Sequence, residues 1–324
     1  MRAGAKSTRK GGRNDEVERV SKVVVTGICG RLGKRVTRML HRAYSVEGID
    51  RRPFPERPKD VIHHQIDIRR KKCRDVFRHG DVAAVVHLGI MHDPRASTED
   101  RHTWNVDGFA KLLEYLDQYH VPKLVVLSSA NVYGPRPGNP QFLTEEAPLM
   151  GGQNFPEIRD LIEVDMLAQS YFWRKPETET VILRPVHILG SVKNAPSNYL
   201  RREWVPTLMG FDPMVQVIHE DDVVGAIVRA LTPGVRGIFN LTGPGEIPLS
   251  RALDILHKPS VPLPASVITR VQKRLWRWRL TAFPAPEYDH IRFVCMVDGR
   301  RAREVLGFAP AHGLRDTLEA VQDL

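Results

Sequence analysis

The chain has 324 residues, 42% hydrophobic and 27% charged, with a formal net charge of +10. That composition belongs to a globular chain able to bury a substantial core, and no apolar run reaches the ~20 residues of a membrane span. The first twenty residues lack the apolar core of a secretory leader, and three cysteines at unrelated spacings form neither a disulfide framework nor a metal motif, so a cytoplasmic setting without metal is expected.

Residues 1–21 are polar and basic early, with Lys6, Arg9, Lys10 and Arg13, and read as a disordered tail. The positive excess asks for an acidic partner, whether a phosphorylated ligand, a membrane surface or nucleic acid. The tail interleaves no aromatic residues with its cations, so nucleic acid is not the expected partner.

The chain is organised around Val23-Val24-Val25-Thr26-Gly27-Ile28-Cys29-Gly30-Arg31-Leu32-Gly33-Lys34. Three β-branched residues run into a Gly-x-x-Gly-x-x-Gly turn, and Leu32, Val36, Met39 and Leu40 then follow at helical spacing. A strand, a glycine turn and a helix make the entry unit of a dinucleotide site. Gly27 permits the tight turn, Gly30 lets backbone approach a pyrophosphate, and Gly33 lets the helix pack on the sheet; the helix N-terminus offers free N–H groups to the phosphates. Cys29 also sits at this N-terminus, where a thiol pKa can fall, although a small filler residue is the commoner reason for a cysteine there.

Tyr44 to Asp50 reads as the second strand. Asp50 lies 23 positions after Gly27, near the spacing of an acid that holds the adenosine ribose hydroxyls and repels the extra phosphate of NADP. Arg51 and Arg52 follow and would attract that phosphate, so NAD is favoured and NADP stays open. Val61 to Ile68 reads as a third strand ending at Asp67-Ile68, Cys73 to His79 as a short helix, and Val82 to Gly89, through His87-Leu88-Gly89, as a strand covered on both faces. A long helix is expected from about Thr98 to His120, buried through Leu112, Leu113 and Leu116, and then a strand, Lys123 to Leu127, ending at Ser128-Ser129. Alternating strands and helices imply an α/β fold with a doubly wound parallel sheet, whose ligands bind beyond the carboxyl ends of the strands.

Taken with Asn105-Val106-Asp107-Gly108, Ser128-Ser129-Ala130-Asn131-Val132-Tyr133-Gly134, Leu183-Arg184-Pro185, Ile218-His219-Glu220-Asp221-Asp222-Val223, Phe239-Asn240-Leu241-Thr242-Gly243 and Val297-Asp298 through Leu306-Gly307-Phe308, these motifs resemble an extended short-chain dehydrogenase/reductase of the NAD-dependent epimerase/dehydratase family, over about residues 22 to 320. The resemblance implies a Rossmann-type domain over 22–185, with 215–243 returning to it in part, and a smaller substrate lobe over most of 186–324. It implies that NAD is held by Gly27, Cys29, Gly30, Arg31, Leu32, Gly33, Asp50, Arg51, Asp67, Ile68, His87, Leu88, Gly89, Asn105 and Pro185. It makes Ser129 the serine that hydrogen-bonds a substrate hydroxyl or carbonyl, and it suggests a homodimer through the helices after Thr98 and after Pro156.

The family's chemistry also uses a tyrosine four residues before a lysine, as proton acceptor and its pKa-lowering partner. Here Phe155 stands at the tyrosine position and Arg159 at the lysine position. Phenylalanine transfers no proton; arginine stays charged and can still hold a ribose. Tyr119-x-x-x-Lys123 precedes the serine and contains a proline, and Tyr171-x-x-x-Lys175 falls too late in its helix, more than ~20 Å along it at ~1.5 Å per residue. His87, His92 and His187 are alternative proton carriers, with core or loop histidines the plainer reading. Many sugar-nucleotide members carry a diphosphate-gripping arginine where Val215 stands, with Arg201, Arg202 and Arg292 as substitutes.

Farther on, Asp221 to Leu231 reads as a helix, Gly237 to Leu241 as a strand, and Pro259, Pro262 and Pro264 as a linker. In a helix over 265–282, Val267, Ile268, Val271, Leu275, Trp278 and Ala282 line one face and Arg270, Lys273, Arg274 and Arg277 the other, with Trp276 beyond them. The plain reading is a lobe helix over the pocket; the sharper one is peripheral contact with anionic lipid. Two functions remain: an NAD(P)-dependent epimerase, dehydratase or reductase acting on a sugar nucleotide or related small molecule, or a catalytically degenerate NAD(P)-binding sensor or scaffold.

Overall fold

The computed structural model describes residues 21–78, 81–91, 96–153, 158–192, 199–278 and 292–321. The expected tail (apart from Ser21), Phe155, His92 and Ala282 lie outside these residues.

The chain runs β1 (Lys22–Thr26), α1 (Arg31–Leu40), β2 (Ser45–Asp50), β3 (Ile62–Gln65), β4 (Val82–His87), α2 (Thr98–His102), α3 (Gly108–Gln118), β5 (Lys123–Leu127), α4 (Arg159–Arg174) and β6 (Glu179–Pro185). It continues β7 (His187–Leu189), β8 (Val205–Leu208), β9 (Met214–His219), α5 (Glu220–Ala230), β10 (Gly237–Leu241), β11 (Glu246–Pro248), α6 (Leu249–Ile255), β12 (Ser260–Leu263), α7 (Ala265–Arg277), α8 (Arg300–Val305) and α9 (Leu314–Glu319). Seven strands form one sheet in the order β10-β6-β5-β4-β1-β2-β3, and every adjacent pair is parallel. The order reverses between β1 and β4, which opens a crevice at the carboxyl ends of those two strands.

Side-chain alternation explains why the sheet is covered on both faces. Val23 and Val25 of β1 join one core cluster with Val86, Val125 and Leu183, while Val24 joins another with Val85, Leu124 and Ile182. A strand with apolar residues at consecutive positions can bury both sides only between two helical layers. The remaining core lies in a lobe where β9 pairs with β7 and β11, β12 pairs with β8, and Val205, Val217, Leu249, Leu253 and Ile268 pack together. Strand β10 lies on the main sheet and α5 packs beside α1, so residues 220–241 come back to the first unit.

Several elements differ from the expectation. Met39 is 50% exposed, and α1 buries Gly33, Val36, Thr37 and Leu40 instead. The long helix after Thr98 is broken by a π-turn at Thr103–Asp107, where the widened turn seats Trp104 and Asn105. The proline-punctuated stretch after Lys258 holds strand β12, running parallel to β8; Pro262 sits within this edge strand, where a missing N–H costs little, and Pro259 and Pro264 flank it. Helix α7 buries Ile268, while Val267, Val271 and Trp278 stay exposed. Among the described residues, no helix is long and apolar enough to cross a membrane.

Candidate functional site

The glycine turn leaves β1 at Gly27, whose φ of +72° is open to glycine at little cost. A Cβ there would meet the Leu88 carbonyl oxygen at 2.7 Å and Gly89 Cα at 2.8 Å, so the turn and the end of β4 are pressed together with no room for a side chain. A Cβ on Gly33 would collide with the Gly27 carbonyl, which is why α1 can start this close to the sheet. Gly30 caps α1 in extended backbone, and its amide donates to the Gly27 carbonyl at 2.9 Å. The first turn of α1 holds no acid. Its cations face other tasks: Arg31 donates to the Ser191 carbonyl, Lys34 lies over the Phe54 ring, and Arg35 pairs with Glu220 and Asp221. Leu32 and Leu88 pack, partly buried, against the same core cluster.

Asp50 closes β2 with a carboxylate that is almost fully buried. It accepts from the Cys29 amide (3.1 Å) and from Arg52 through its amide (3.0 Å), Nε (3.1 Å) and Nη2 (2.9 Å). Burial raises the Asp50 pKa, but the hydrogen bonds and charge of Arg52 outweigh it and the net shift is downward. Arg52 is thereby folded back on the acid rather than held out towards a ligand. Arg51 instead lies over the Trp104 ring at 4.8 Å, and Arg69 lies over the same ring at 5.4 Å. Trp104 Nε1 donates to the Gly89 carbonyl at 2.9 Å, which ties this stack to the end of β4. Arg69 also grips Asp67, with Nη2 at 2.6 Å from a carboxylate oxygen, and Ile68 is buried against Gly108.

Cys29 is not a lowered-pKa thiol. Burial, then the charge of Asp50, pushes it up to about 11, and Sγ donates to the Arg52 carbonyl at 3.2 Å. Burial first, and the Asp50 charge second, override whatever the helix end supplies. His87 ends β4 fully buried, with Nδ1 2.8 Å from Thr26 Oγ1 and its ring against Phe109. Burial pushes its pKa down to about 3, so it carries no proton to donate as an imidazolium at neutral pH. Asn105 bridges the loop after β4, accepting from the Met91 amide (2.7 Å) and donating to the Met91 carbonyl (3.1 Å).

Beyond β5, the paired serines take different parts. Ser128 Oγ donates to Asp165 at 2.5 Å inside the core. Ser129 caps the short turn Ala130–Val132, its Oγ accepting from the Asn131 amide at 3.2 Å, which leaves the hydroxyl proton for another acceptor. Beside it a small pocket is lined by Ala130, Asn131, His187, Val215, Gln216 and Phe293, among others. Val215 is 4% exposed, so the place of a diphosphate-gripping arginine is apolar. Arg201 is bound to the carbonyls of Gly190, Val192 and Val321, while Arg292 lies over the rings of Phe211 and Phe293. Arg202 presents its carbonyl to Lys258 Nζ. Burial lowers the His187 pKa to about 4. Arg159 opens α4, with Nε on the Gly152 carbonyl at 3.1 Å. Tyr171 lies farther along α4, 3% exposed in the core with Val164 and Ala168. Pro185 ends β6.

The sequence reading missed the buried ion pair behind this edge. Arg184 donates to both Asp165 oxygens (2.9 and 2.7 Å), to Tyr133 Oη (2.7 Å) and to the Glu145 carbonyl (3.1 Å). Tyr133 donates on to Asn240 at 2.8 Å. Burial alone would lower the Arg184 pKa, yet Asp165 more than offsets it. The Leu183-Arg184-Pro185 motif marks one member, but nothing local marks Asp165, one of three acids on α4 with Asp160 and Glu163. Among the described residues, His219, Asp221 and His312 bring donor atoms within 4.8 Å of one another. His219 Nδ1 caps α5, His312 Nδ1 pairs with Asp222 at 3.0 Å, and the two rings stack at 3.8 Å, so the group docks the chain's last segment on the start of α5.

The NAD dependent epimerase/dehydratase family model matches residues 23–242. An uncharacterised protein of Mycobacterium tuberculosis strain H37Rv is 28% identical over 320 residues, covering 93% of this chain and 82% of the relative. A UDP-glucose 4-epimerase of Dictyostelium discoideum is 25% identical over 223 residues, covering 62% of this chain and 64% of its own. Among solved structures, a UDP-glucuronic acid 4-epimerase from Bacillus cereus in complex with UDP-glucuronic acid and NAD superposes with a TM-score of 0.71 at 18% identity, covering 93% of this chain and 98% of that one. A Thermus thermophilus UDP-glucose 4-epimerase complexed with NAD gives 0.70 at 21% identity, covering 93% and 99%.

Proposed function

This chain belongs to the NAD dependent epimerase/dehydratase family, and we propose that it holds NAD(H) across the carboxyl edge of β2, β1, β4 and β5 and acts on a sugar nucleotide or a related polar small molecule. The observation that carries this reading is the cradle around Gly27, where a Cβ would fill the space between the turn and Gly89 and where backbone is bared beside the N-terminus of α1. Asp50 would take the adenosine ribose hydroxyls once Arg52 moves aside, and Trp104 with Asp67 would border the adenine. A bound nicotinamide supplies a hydride acceptor and donor. Ser129 would hold the reacting oxygen through its free hydroxyl proton, and Arg159 would take the ribose contact that a lysine makes elsewhere. With Phe155 in place of a tyrosine, the proton must be carried by substrate or by a different side chain.

One observation favours a second reading, an NAD(H)-binding sensor or scaffold without turnover: neither Phe155 nor Arg159 can cycle a proton at neutral pH. A homodimer through α3 and α4 fits the exposure of Met166 (57%) and Trp173 (74%) on α4. The test begins with calorimetric titration of the full chain with NAD(H) and NADP(H), followed by a nicotinamide-absorbance screen over sugar nucleotides. Saturable NAD(H) binding with turnover lost in Ser129→Ala supports the enzyme. Binding with no turnover on any sugar nucleotide supports the sensor. No binding of either dinucleotide sinks both.

A further inference from the structure

The face of α7 that the lobe leaves uncovered is a surface without an assigned task. Val267, Val271, Arg274 and Trp278 follow one another at steps of four, three and four, which places them within about 60° on a helix turning about 100° per residue. Val267 is 41%, Val271 51% and Trp278 55% exposed, while Ile268, about 60–100° round the helix from them, is 3% exposed and anchors the helix in the lobe core. Arg274 lies over the Trp278 ring at 4.8 Å, and Arg270 stands on the flank of the same stripe. Trp204 and Val261, 51% and 41% exposed, add apolar surface beside β8 and on β12, the strand that leads into α7.

Charge decides what fits this face. Between Asp254 and Glu287 the sequence carries Lys258, Arg270, Lys273, Arg274, Arg277 and Arg279 and no acid. A stripe of valine and tryptophan with arginine at its edge, on a chain of net charge +10, matches a surface that is apolar below and anionic above. We propose that the exposed face of α7 docks this protein on anionic phospholipid bilayers, with Val267, Val271 and Trp278 in the headgroup–acyl boundary and Arg270 and Arg274 on the lipid phosphates. Such contact is peripheral and reversible, since no described helix spans a bilayer. It requires no part of the dinucleotide crevice, and so stands apart from the proposed activity.

The test is sedimentation of the full-length chain with vesicles of phosphatidylserine and phosphatidylcholine, against vesicles of phosphatidylcholine alone, at low and high salt. The expected result is binding to the anionic vesicles that weakens with salt. Arg270→Gln with Arg274→Gln should reduce it about 25-fold, at about fivefold per charge near an anionic surface. Trp278→Ala should weaken it and remove the blue shift that tryptophan emission shows on binding. All variants should keep the wild-type circular dichroism spectrum and melting temperature. Failure to sediment with anionic vesicles at low salt overturns the proposal. So does binding that the double variant retains, which would move it to the basic tail, or capture by duplex DNA without capture by vesicles.

Discussion

Arg52→Ala is the perturbation that tests how the crevice admits a ribose. Asp50 has four acceptor sites, and all four are used: the Cys29 amide, and the amide, Nε and Nη2 of Arg52. Two ribose hydroxyls can be accepted only after the Arg52 side chain leaves. The Asp50 side chain is 3% exposed but that of Arg52 is 56% exposed, so breaking the pair costs what a solvent-facing ion pair is worth, about 0.2–1 kcal/mol, rather than the several kcal/mol of a buried one. Removing Arg52 should therefore tighten NAD binding, by up to about fivefold. The same change should weaken NADP binding, because a cation beside the 2′-phosphate is lost. Asp50→Asn should weaken NAD about tenfold, the difference between a charged and a neutral acceptor. Calorimetric titrations of the three proteins at one ionic strength supply the comparison. If Arg52→Ala weakens NAD as much as Asp50→Asn does, Arg52 touches the ligand directly and the displaced-clasp argument is wrong.

Other consequences follow from the same geometry. Gly27→Ala combines a left-handed backbone with contacts of 2.7–2.8 Å to Leu88 and Gly89, and should cost more than about 2 kcal/mol, read as a melting point lower by about 3 °C or more; an unchanged melting point would show that the turn relaxes. Asp165→Ala leaves the Arg184 guanidinium buried without its carboxylate and should destabilise by about 3–5 kcal/mol in urea unfolding, a loss under ~1 kcal/mol meaning that another group replaces it. His87 is buried neutral with its pKa depressed to about 3, so its contribution to stability is complete above the unfolded value of 6.5 and shrinks as pH falls towards 3. Between pH 6.5 and 5 that amounts to about 2 kcal/mol, and His87→Gln should remove that much of the slope; identical slopes for the two proteins would rule out the assignment. Asp50, shifted down from 3.8, also loses its contribution as pH falls below that unfolded value and through its lowered pKa.

Much of the fold could be read along the chain because its signals are local. The apolar run of β4, the Val-rich β1 and the glycine turn each state their structure within a dozen residues, and β5 and β10 lie where the spacing places them. The strand before Ser128-Ser129 could be read from its own apolar run, while the likeness to a family supplied the role expected of Ser129; the strand order of the sheet came only with the structure. Failures came where a neighbour distant in sequence overrides local preference. Trp104 and Asn105 sit in a π-turn because the loop at Met91 and the Gly89 carbonyl claim their side chains. The prolines after Lys258 look like a linker until β8 supplies the strand they pair with.

The site divides along the same line. That Gly27, Gly30 and Gly33 form a backbone cradle, that an acid ends β2, and that residue 155 is a phenylalanine are facts of the sequence, because each depends on one residue's own chemistry. Whether a titratable group is charged, free or engaged depends on burial and on neighbours from other elements, which no linear pattern contains. Tertiary packing turned Cys29 into a thiol with a raised pKa, folded Arg52 onto Asp50, kept His87 neutral and hid Arg184 against Asp165. It also turned Ile268 into the lobe core and left the valine and tryptophan stripe of α7 facing outwards, since one face of a helix is all that a single core can cover.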